Sequence, residues 1–503
     1  MRDFLVFSNL TFGYPSAAGD IFIDFNQHFA PGWHGIVGAN GAGKSTLLQL
    51  ACGNLHPDIG TVKASGSVML CQQTVDTPPE NAEAFFSAHT AAAIRLRNEL
   101  ALNIEMLDRW ETLSMGERKK LQIAAALFEP PGVLCLDEPT NHLDSVARRE
   151  LLAVLRTYRG VGLLVSHDRE LLDTLCTDCL FLRPAAARLR SGGVSDGIAE
   201  EGIEREANHR ELEKLKTEAK KAKKELQRRR EKEQKSANAD SKRKLDRHDR
   251  DGKGRIDAAR VSSRAGKASE MAGAQKKTLD RKETELNSLE YLKAPKLGLS
   301  IPYGAYSRRD LLLQLPTGGI DIGEKRLEWQ ELELGSHDRV ALTGANGAGK
   351  SSFLRHIMPL LRLESEQILF MPQELTPADH QRITAELDLL GRNEYSKVMS
   401  VVASLGSLPE RVKATSQPSP GEWRKLFFGL GVLHGVNLIV MDEPTNHLDL
   451  PSIECLEAAL RDCATALILV SHDAAFLGNT CSINWEISAG RIAKKILDGT
   501  CRK

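Results

Sequence analysis

The chain repeats itself. Gly38-Ala-Asn-Gly-Ala-Gly-Lys-Ser-Thr46 returns as Gly344-Ala-Asn-Gly-Ala-Gly-Lys-Ser-Ser352, and Leu136-Asp-Glu-Pro-Thr-Asn-His-Leu-Asp144 returns as Met441-Asp-Glu-Pro-Thr-Asn-His-Leu-Asp449. Val165-Ser-His-Asp168 returns as Val470-Ser-His-Asp473, so three blocks recur in one order at offsets of 305 or 306 residues. That pattern means tandem duplication of a whole domain. The expected division is a first copy over residues 1–195, a connector over 196–296 and a second copy over 297–503.

Each copy reads as a phosphate-binding α/β domain. Gly35-Ile-Val-Gly38 and Val340-Ala-Leu-Thr-Gly344 are short apolar runs ending in glycine, the pattern of a buried strand entering a loop. G-x-x-x-x-G-K-S follows in both copies. Glycines let successive backbone N–H groups converge on phosphate oxygens, a lysine reaches the β- and γ-phosphates, and a serine hydroxyl binds Mg²⁺. The expected ATP sites are therefore Gly38, Asn40, Gly41, Gly43, Lys44, Ser45 and Thr46, and Gly344, Asn346, Gly347, Gly349, Lys350, Ser351 and Ser352. Lys44 and Lys350 take the phosphate role, Ser45 and Ser351 the metal role, and ATP and Mg²⁺ are the expected cofactors.

Val133-Leu-Cys-Leu136 and Leu438-Ile-Val-Met441 read as buried strands, and each runs into an Asp-Glu pair. A carboxylate at the carboxyl end of such a strand lies beside the phosphate loop, at the sheet edge where α/β ligands bind. Asp137 and Asp442 are expected to hold Mg²⁺ through its waters, and Glu138 and Glu443 to orient and deprotonate the attacking water. A third apolar run leads to His167 in one copy and His472 in the other, each able to donate to a γ-phosphate.

Together these blocks resemble those of ATP-binding cassette (ABC) ATPases. The resemblance implies a signature segment at Leu113-Ser-Met-Gly-Glu-Arg118 and, in divergent form, at Pro418-Ser-Pro-Gly-Glu-Trp423. It implies a metal-facing glutamine at Gln73 (or its neighbour Gln72) and at Gln373. An aromatic stacking on adenine would be Phe12 or Tyr14, with no counterpart before the second loop. Closure head to tail within one chain would join Lys44, Glu138 and His167 to Ser419 and Gly421. The other site would join Lys350, Glu443 and His472 to Ser114 and Gly116. Pro420 removes a backbone donor from the second signature, so the site that uses it is expected to be the slower or weaker one.

The connector carries a different signal. From residue 201 to 296 there are 29 Lys and Arg against 19 Asp and Glu, with Tyr291 the sole aromatic. Leu212, Leu215, Ala219, Ala222 and Leu226 follow a 3-4-3-4 spacing, a narrow helical seam, and Ala272, Leu279, Leu286 and Leu289 fit the same repeat. Two such helices make an antiparallel hairpin with its joint near residues 236–267. A first helix of roughly 35 residues would span about 50 Å. Between Lys220 and Arg255 there are 16 basic against 7 acidic residues. Lys242, Arg243, Lys244, Arg247, Arg250, Lys253 and Arg255 are the candidate RNA contacts, because basic residues without stacking aromatics suit the backbone of structured nucleic acid.

Two cassettes joined by a long charged helical connector resemble the ABC-F family. That resemblance implies a partner in the ribosome: rRNA, the tRNA exit-site region and the peptidyl-tRNA, with the connector reaching toward the peptidyl-transferase centre. The implied roles are translation control or protection from ribosome-targeting antibiotics. Two other classes use similar cassettes. A transporter ATPase would need separate membrane subunits, and a DNA-repair or chromosome ATPase of the SMC type interrupts one cassette with its coil instead of joining two.

Lys and Arg number 67, and so do Asp and Glu. Residues 201–296 hold a net +10 and the rest of the chain −10, so neutrality conceals an acidic body with a basic arm. No stretch reaches the ~20 apolar residues of a membrane-spanning helix. Nine cysteines without framework spacing suit a reducing compartment, and the Cys176-Thr-Asp-Cys179 pair lacks a second pair at zinc-site spacing. A cytoplasmic monomer without a membrane partner is expected.

Overall fold

The computed structural model describes residues 3–15, 19–141, 143–183, 186–239, 310–323, 325–407, 418–446 and 448–497. The chain divides into two compact units, Met1–Gly197 with Leu297–Lys503, and Ile198–Lys296.

Runs of apolar residues without alternation become central strands covered on both faces. Val133–Asp137, Val161–Val165, Leu438–Asp442 and Ala466–Val470 are buried at every position. In the first copy the sheet order is Val68–Cys71, Val133–Asp137, Val161–Val165, Gly32–Gly38, Asp178–Arg183 and Ala186–Ser191. The first five run parallel, and the last folds back as an antiparallel hairpin. A separate antiparallel sheet pairs Leu5–Phe12 with Phe22–Phe29 and Ile59–Ala64.

The second copy keeps the central order, with Ile368–Met371, Leu438–Asp442, Ala466–Val470, Arg339–Gly344 and Ile483–Ser488 side by side. Here the Gly318–Ile322/Lys325–Trp329 hairpin joins the main sheet through Arg491–Ile496, giving eight strands. Each copy is thus an α/β cassette, as the sequence implied. Aromatic cores back both sheets. Phe7 meets Phe25 and Phe29 edge-on at 5.5 and 6.2 Å, and Phe353 meets Trp329 and Trp485 at 5.4 and 6.1 Å.

In the connector, one helix runs Val194–Ala239, 46 residues, starting earlier than expected and passing Ser236, where the joint was placed. At 1.5 Å per residue it is about 70 Å long. The first arm is therefore longer than sequence breaks suggested, because Ser236 and Asn238 are tolerated in a helix more readily than Gly or Pro. Leu212, Ala222 and Leu226 of the seam are buried, and Leu215 is half-buried. The rest of the predicted hairpin, including most of its joint, lies outside the described residues. Among the described residues no helix is long and apolar enough to cross a membrane.

Candidate functional site

In both copies the central strand ends at a glycine, Gly38 or Gly344, and the chain turns through the phosphate loop into the helices Lys44–Ala51 and Lys350–Ile357. Gly43 and Gly349 cap those helices with φ of 95° and 100°. A Cβ there would sit 2.5 Å from the Ile21 or Ile322 side chain, so both conformation and space require glycine. Gly41 and Gly347 turn with φ of 80° and 71°. Lys44 Nζ donates to the Gly38 and Ala39 carbonyls at 2.8 and 3.2 Å, and Lys350 Nζ to those of Gly344 and Ala345 at 2.7 and 3.2 Å. Each ammonium is pinned across the mouth of its own loop.

The carboxylates lie alongside. Ser351 Oγ donates to Asp442 Oδ2 at 2.7 Å, and the Ser45 hydroxyl bonds Asp137 in the same way. Glu138 and Glu443 take φ of 47° and 50°, uncommon for a long side chain. Their N–H groups donate to Val165 and Val470 at 2.8 Å. This turn brings each carboxylate against the histidine segment, with Oε2 3.4 Å from the His167 or His472 N–H, at a backbone cost of about 1–3 kcal/mol. Burial pushes Glu138 up to about 8 and Glu443 up to about 7. Each keeps one buried oxygen, Oε1, without a hydrogen bond.

His167 Nε2 is 3.2 Å from Glu138 Oε1, and His472 Nε2 is 3.5 Å from Glu443 Oε1. The His472 ring also lies 3.3 Å from Lys350 Nζ and 3.1 Å from Asn346 Oδ1. Burial, with the adjacent lysine charge, lowers His167 to about 3 and His472 to about 4. Both rings are neutral at physiological pH.

Tyr14 is exposed and its hydroxyl lies 3.3 Å from Thr46 Oγ1, whereas Phe12 is buried in the first-copy core. Of the two, Tyr14 is the exposed one beside the loop, its ring meeting Phe12 edge-on at 5.2 Å. Ile322 lines the second-copy cavity along with Ser352.

Strand register places Gln73 two residues beyond Cys71, as Gln373 stands beyond Met371, each strand pairing with the one that bears the Asp-Glu pair. Gln73, not Gln72, is therefore the positional match to Gln373. Sequence reasoning passed over what anchors these turns. Lys119 Nζ donates to the carbonyls of Gln72 and, at 3.1 Å, Asp137. Arg424 donates to Gln373 at 2.6 Å and to Glu443 at 2.9 Å. Both are buried cations immediately after the signature, at the same 305-residue offset as the blocks around them. That register was the signal available.

Ser114 and Ser419 each cap a helix, Met115–Phe128 and Pro420–His434, in a box with Glu117 or Glu422. Pro420 occupies the first helical position, and Gly116 and Gly421 are buried just inside.

Contacts between copies run through the ends of the repeated aspartate blocks. Asp449 Oδ2 accepts from the Asn40 N–H at 2.6 Å, and Asp144 Oδ2 from the Asn346 N–H at 3.1 Å. Each aspartate also caps its own following helix, through Ser452 and Ala147. A cavity of about 400 Å³ in the second copy is lined by Lys350, Ser351, Gln373, Asp442, Glu443 and His472, together with Leu143 and Arg148 of the first copy. Ser114 and Gly116 do not line it. Among the described residues no three or more His, Cys, Asp or Glu gather as a metal cage. A hydroxyl, a carboxylate and an amide suit Mg²⁺, which takes much of its shell from phosphate and water. Lys242, Arg243, Lys244, Arg247, Arg250, Lys253 and Arg255 lie outside the described residues.

The model of the ABC transporter family matches residues 25–141 and 327–446, once in each copy. The ribosome protection protein VmlR of Bacillus subtilis is 30% identical over 481 residues, covering 92% of this chain and 83% of that protein. The energy-dependent translational throttle protein EttA of Mycobacterium tuberculosis is 26% identical, covering 93% and 90%. The solved structure of RNase-L Inhibitor superposes with a TM-score of 0.60 at 16% identity, covering 96% of this chain and 90% of that one, a likeness of fold.

Proposed function

This chain belongs to the ABC-F family of tandem-cassette ATPases, and from that premise we propose that it acts on the ribosome, modulating translation or protecting it from antibiotics. It binds ATP and hydrolyses it to ADP and phosphate. The chain's own geometry supports a finer reading. Backbone N–H groups of the phosphate loops, with Lys44 and Lys350, would hold the phosphates. Ser45, Asp137 and Gln73, and Ser351, Asp442 and Gln373, would hold Mg²⁺, which supplies charge neutralisation at the β- and γ-phosphates. Glu138 and Glu443 would take a proton from water, and the neutral His167 and His472 would donate a ring N–H. Ser419 with Gly421, and Ser114 with Gly116, would complete the sites when the copies close. Tyr14 would stack on adenine in the first site.

Closure makes nucleotide the latch of a two-state clamp. The observation that carries the ribosome reading is likeness to a ribosome protection protein over 92% of this chain and 83% of that protein, in a chain whose connector holds a local excess of positive charge. A basic arm of that kind gains affinity by displacing counterions from RNA phosphates. The working division remains 1–195, 196–296 and 297–503, in a cytoplasmic monomer. Charge reversal of Arg243, Arg247 and Arg250 tests this. Weaker ribosome binding with unchanged intrinsic ATP turnover supports the reading, and unchanged ribosome binding contradicts it. Drug susceptibility on expression separates protection from translation control.

A further inference from the structure

The two copies are not equivalent at their shared boundary. After the repeated block, the first copy continues Ser145-Val-Ala-Arg148 and the second Leu450-Pro-Ser-Ile453, in register at an offset of 305. Ile453 is buried in the core of its own copy. Arg148 instead reaches across. Its Nε donates to the Leu143 carbonyl at 3.1 Å, and its Nη1 lies 3.2 Å from Asp168 Oδ2 and 3.4 Å from the His472 carbonyl oxygen. It also lines the cavity that holds Lys350, Ser351, Glu443 and His472.

We propose that Arg148 of the first copy is a positioning residue of the second copy's ATP site, holding the His472 segment in place from across the boundary. One guanidinium nitrogen joins Asp168, which follows the catalytic-site histidine of the first copy, to the backbone of the corresponding histidine in the second. His472 presents its ring 3.5 Å from Glu443 and 3.3 Å from Lys350, so fixing its carbonyl fixes the ring between base and phosphate-binding lysine. Among the described residues the first copy's site receives no such group, because the matching side chain is aliphatic and turned into its own core.

A second pair points the same way. Arg169 Nη1 meets Glu457 Oε2 at 3.2 Å across the boundary, and Asn479 holds the other oxygen of Glu457 at 2.7 Å. In register, Glu457 corresponds to Leu152 and Arg169 to Ala474, so this pair too exists on one side only. Both first-copy arginines reach the second copy, whereas no reciprocal pair is formed by Ile453 or Ala474. A bidentate-capable planar cation that bridges a carboxylate and a carbonyl has the geometry to fix a loop, which a lysine reproduces only in part.

Intrinsic ATP turnover, without ribosomes, tests the proposal independently of the ribosome reading. Arg148→Ile is placed in two backgrounds, Glu138→Gln, where turnover comes from the second site, and Glu443→Gln, where it comes from the first. The expected result is a several-fold loss of kcat, with little change in KM, in the Glu138→Gln background alone, with partial recovery in Arg148→Lys. Equal losses in both backgrounds, or none in either, would overturn it. So would a loss in the Glu138→Gln background tracked by a lowered thermal midpoint and not recovered by Arg148→Lys, the signature of a merely structural role.

Discussion

The backbone N–H of Asn40 donates to the Asp449 carboxylate at 2.6 Å, joining the first phosphate loop to a residue 409 positions away in the second copy. Asp144 does the same for Asn346 at 3.1 Å. Each aspartate thus accepts from two backbone donors, one at the cap it makes and one in the glycine loop of the opposite copy.

Replacing Asp449 should cost more than replacing Asp144. Asp449 is buried and also accepts from Ser452, whereas Asp144 is only half-buried. Loss of a cap and a charge-assisted bond together predicts about 2 kcal/mol for Asp449→Ala. Denaturant titration of both variants measures it; an equal or larger loss in Asp144→Ala would contradict the geometry.

These carboxylates also set an acid limit. Burial by itself would raise Asp449, but the Lys425 charge, Ser452 and the Asn40 N–H hold it below its ordinary value, and backbone donors from Ala147 and Asn346 do the same for Asp144 against its own burial. A carboxyl depressed in the folded state contributes stability above its unfolded value and loses it as pH falls through the folded one. Stability should therefore change little from these groups above about pH 5 and decline below about pH 4. Melting temperature against pH, in the parent and in Asp449→Asn, reads this directly; the variant should show a shallower acid decline.

Unequal sites should appear as unequal rates. The first copy's site would use the second signature, where Pro420 stands at the first helical position and supplies no N–H. Glu443→Gln, which leaves that site, should retain less ATP turnover than Glu138→Gln. Equal residual rates would count against the asymmetry.

Gly349 offers a local check. Alanine there would hold φ near 100° and place its Cβ 2.5 Å from Ile322. A destabilisation of about 1–2 kcal/mol is expected from the backbone alone, with weakened nucleotide binding by the second copy seen in fluorescent-nucleotide titration. Gly347→Ala meets no atom within 4 Å and should cost less, for its φ of 71° only.

The cassette fold and the place of its glycine loops were legible in the sequence because a loop of this type restricts residue type. A loop of converging N–H groups needs its glycines, and a strand buried on both faces needs an unbroken apolar run, so Gly38 to Thr46 and Val133 to Asp137 announced themselves. What stayed hidden depends on long-range partners. Lys119 and Arg424 look like ordinary helix charges until Gln72 and Gln373 are seen to present carbonyls to them. Arg148 looks like a solvated residue until its neighbour proves to be His472, 324 positions away. Which of Phe12 and Tyr14 is exposed could be told only from burial, and which of Gln72 and Gln73 matches Gln373 in position only from strand register. The connector's first helix outran its predicted end because Ser and Asn weaken a helix without stopping it.

The central claim is that ATP-driven closure of the two cassettes creates a ribosome-binding state. Co-sedimentation of the Glu138→Gln/Glu443→Gln variant with purified ribosomes tests it most directly. The account predicts that the variant pellets with ribosomes when ATP is present and stays in the supernatant with ADP. Equal recovery with either nucleotide, or no recovery with ATP, would contradict it.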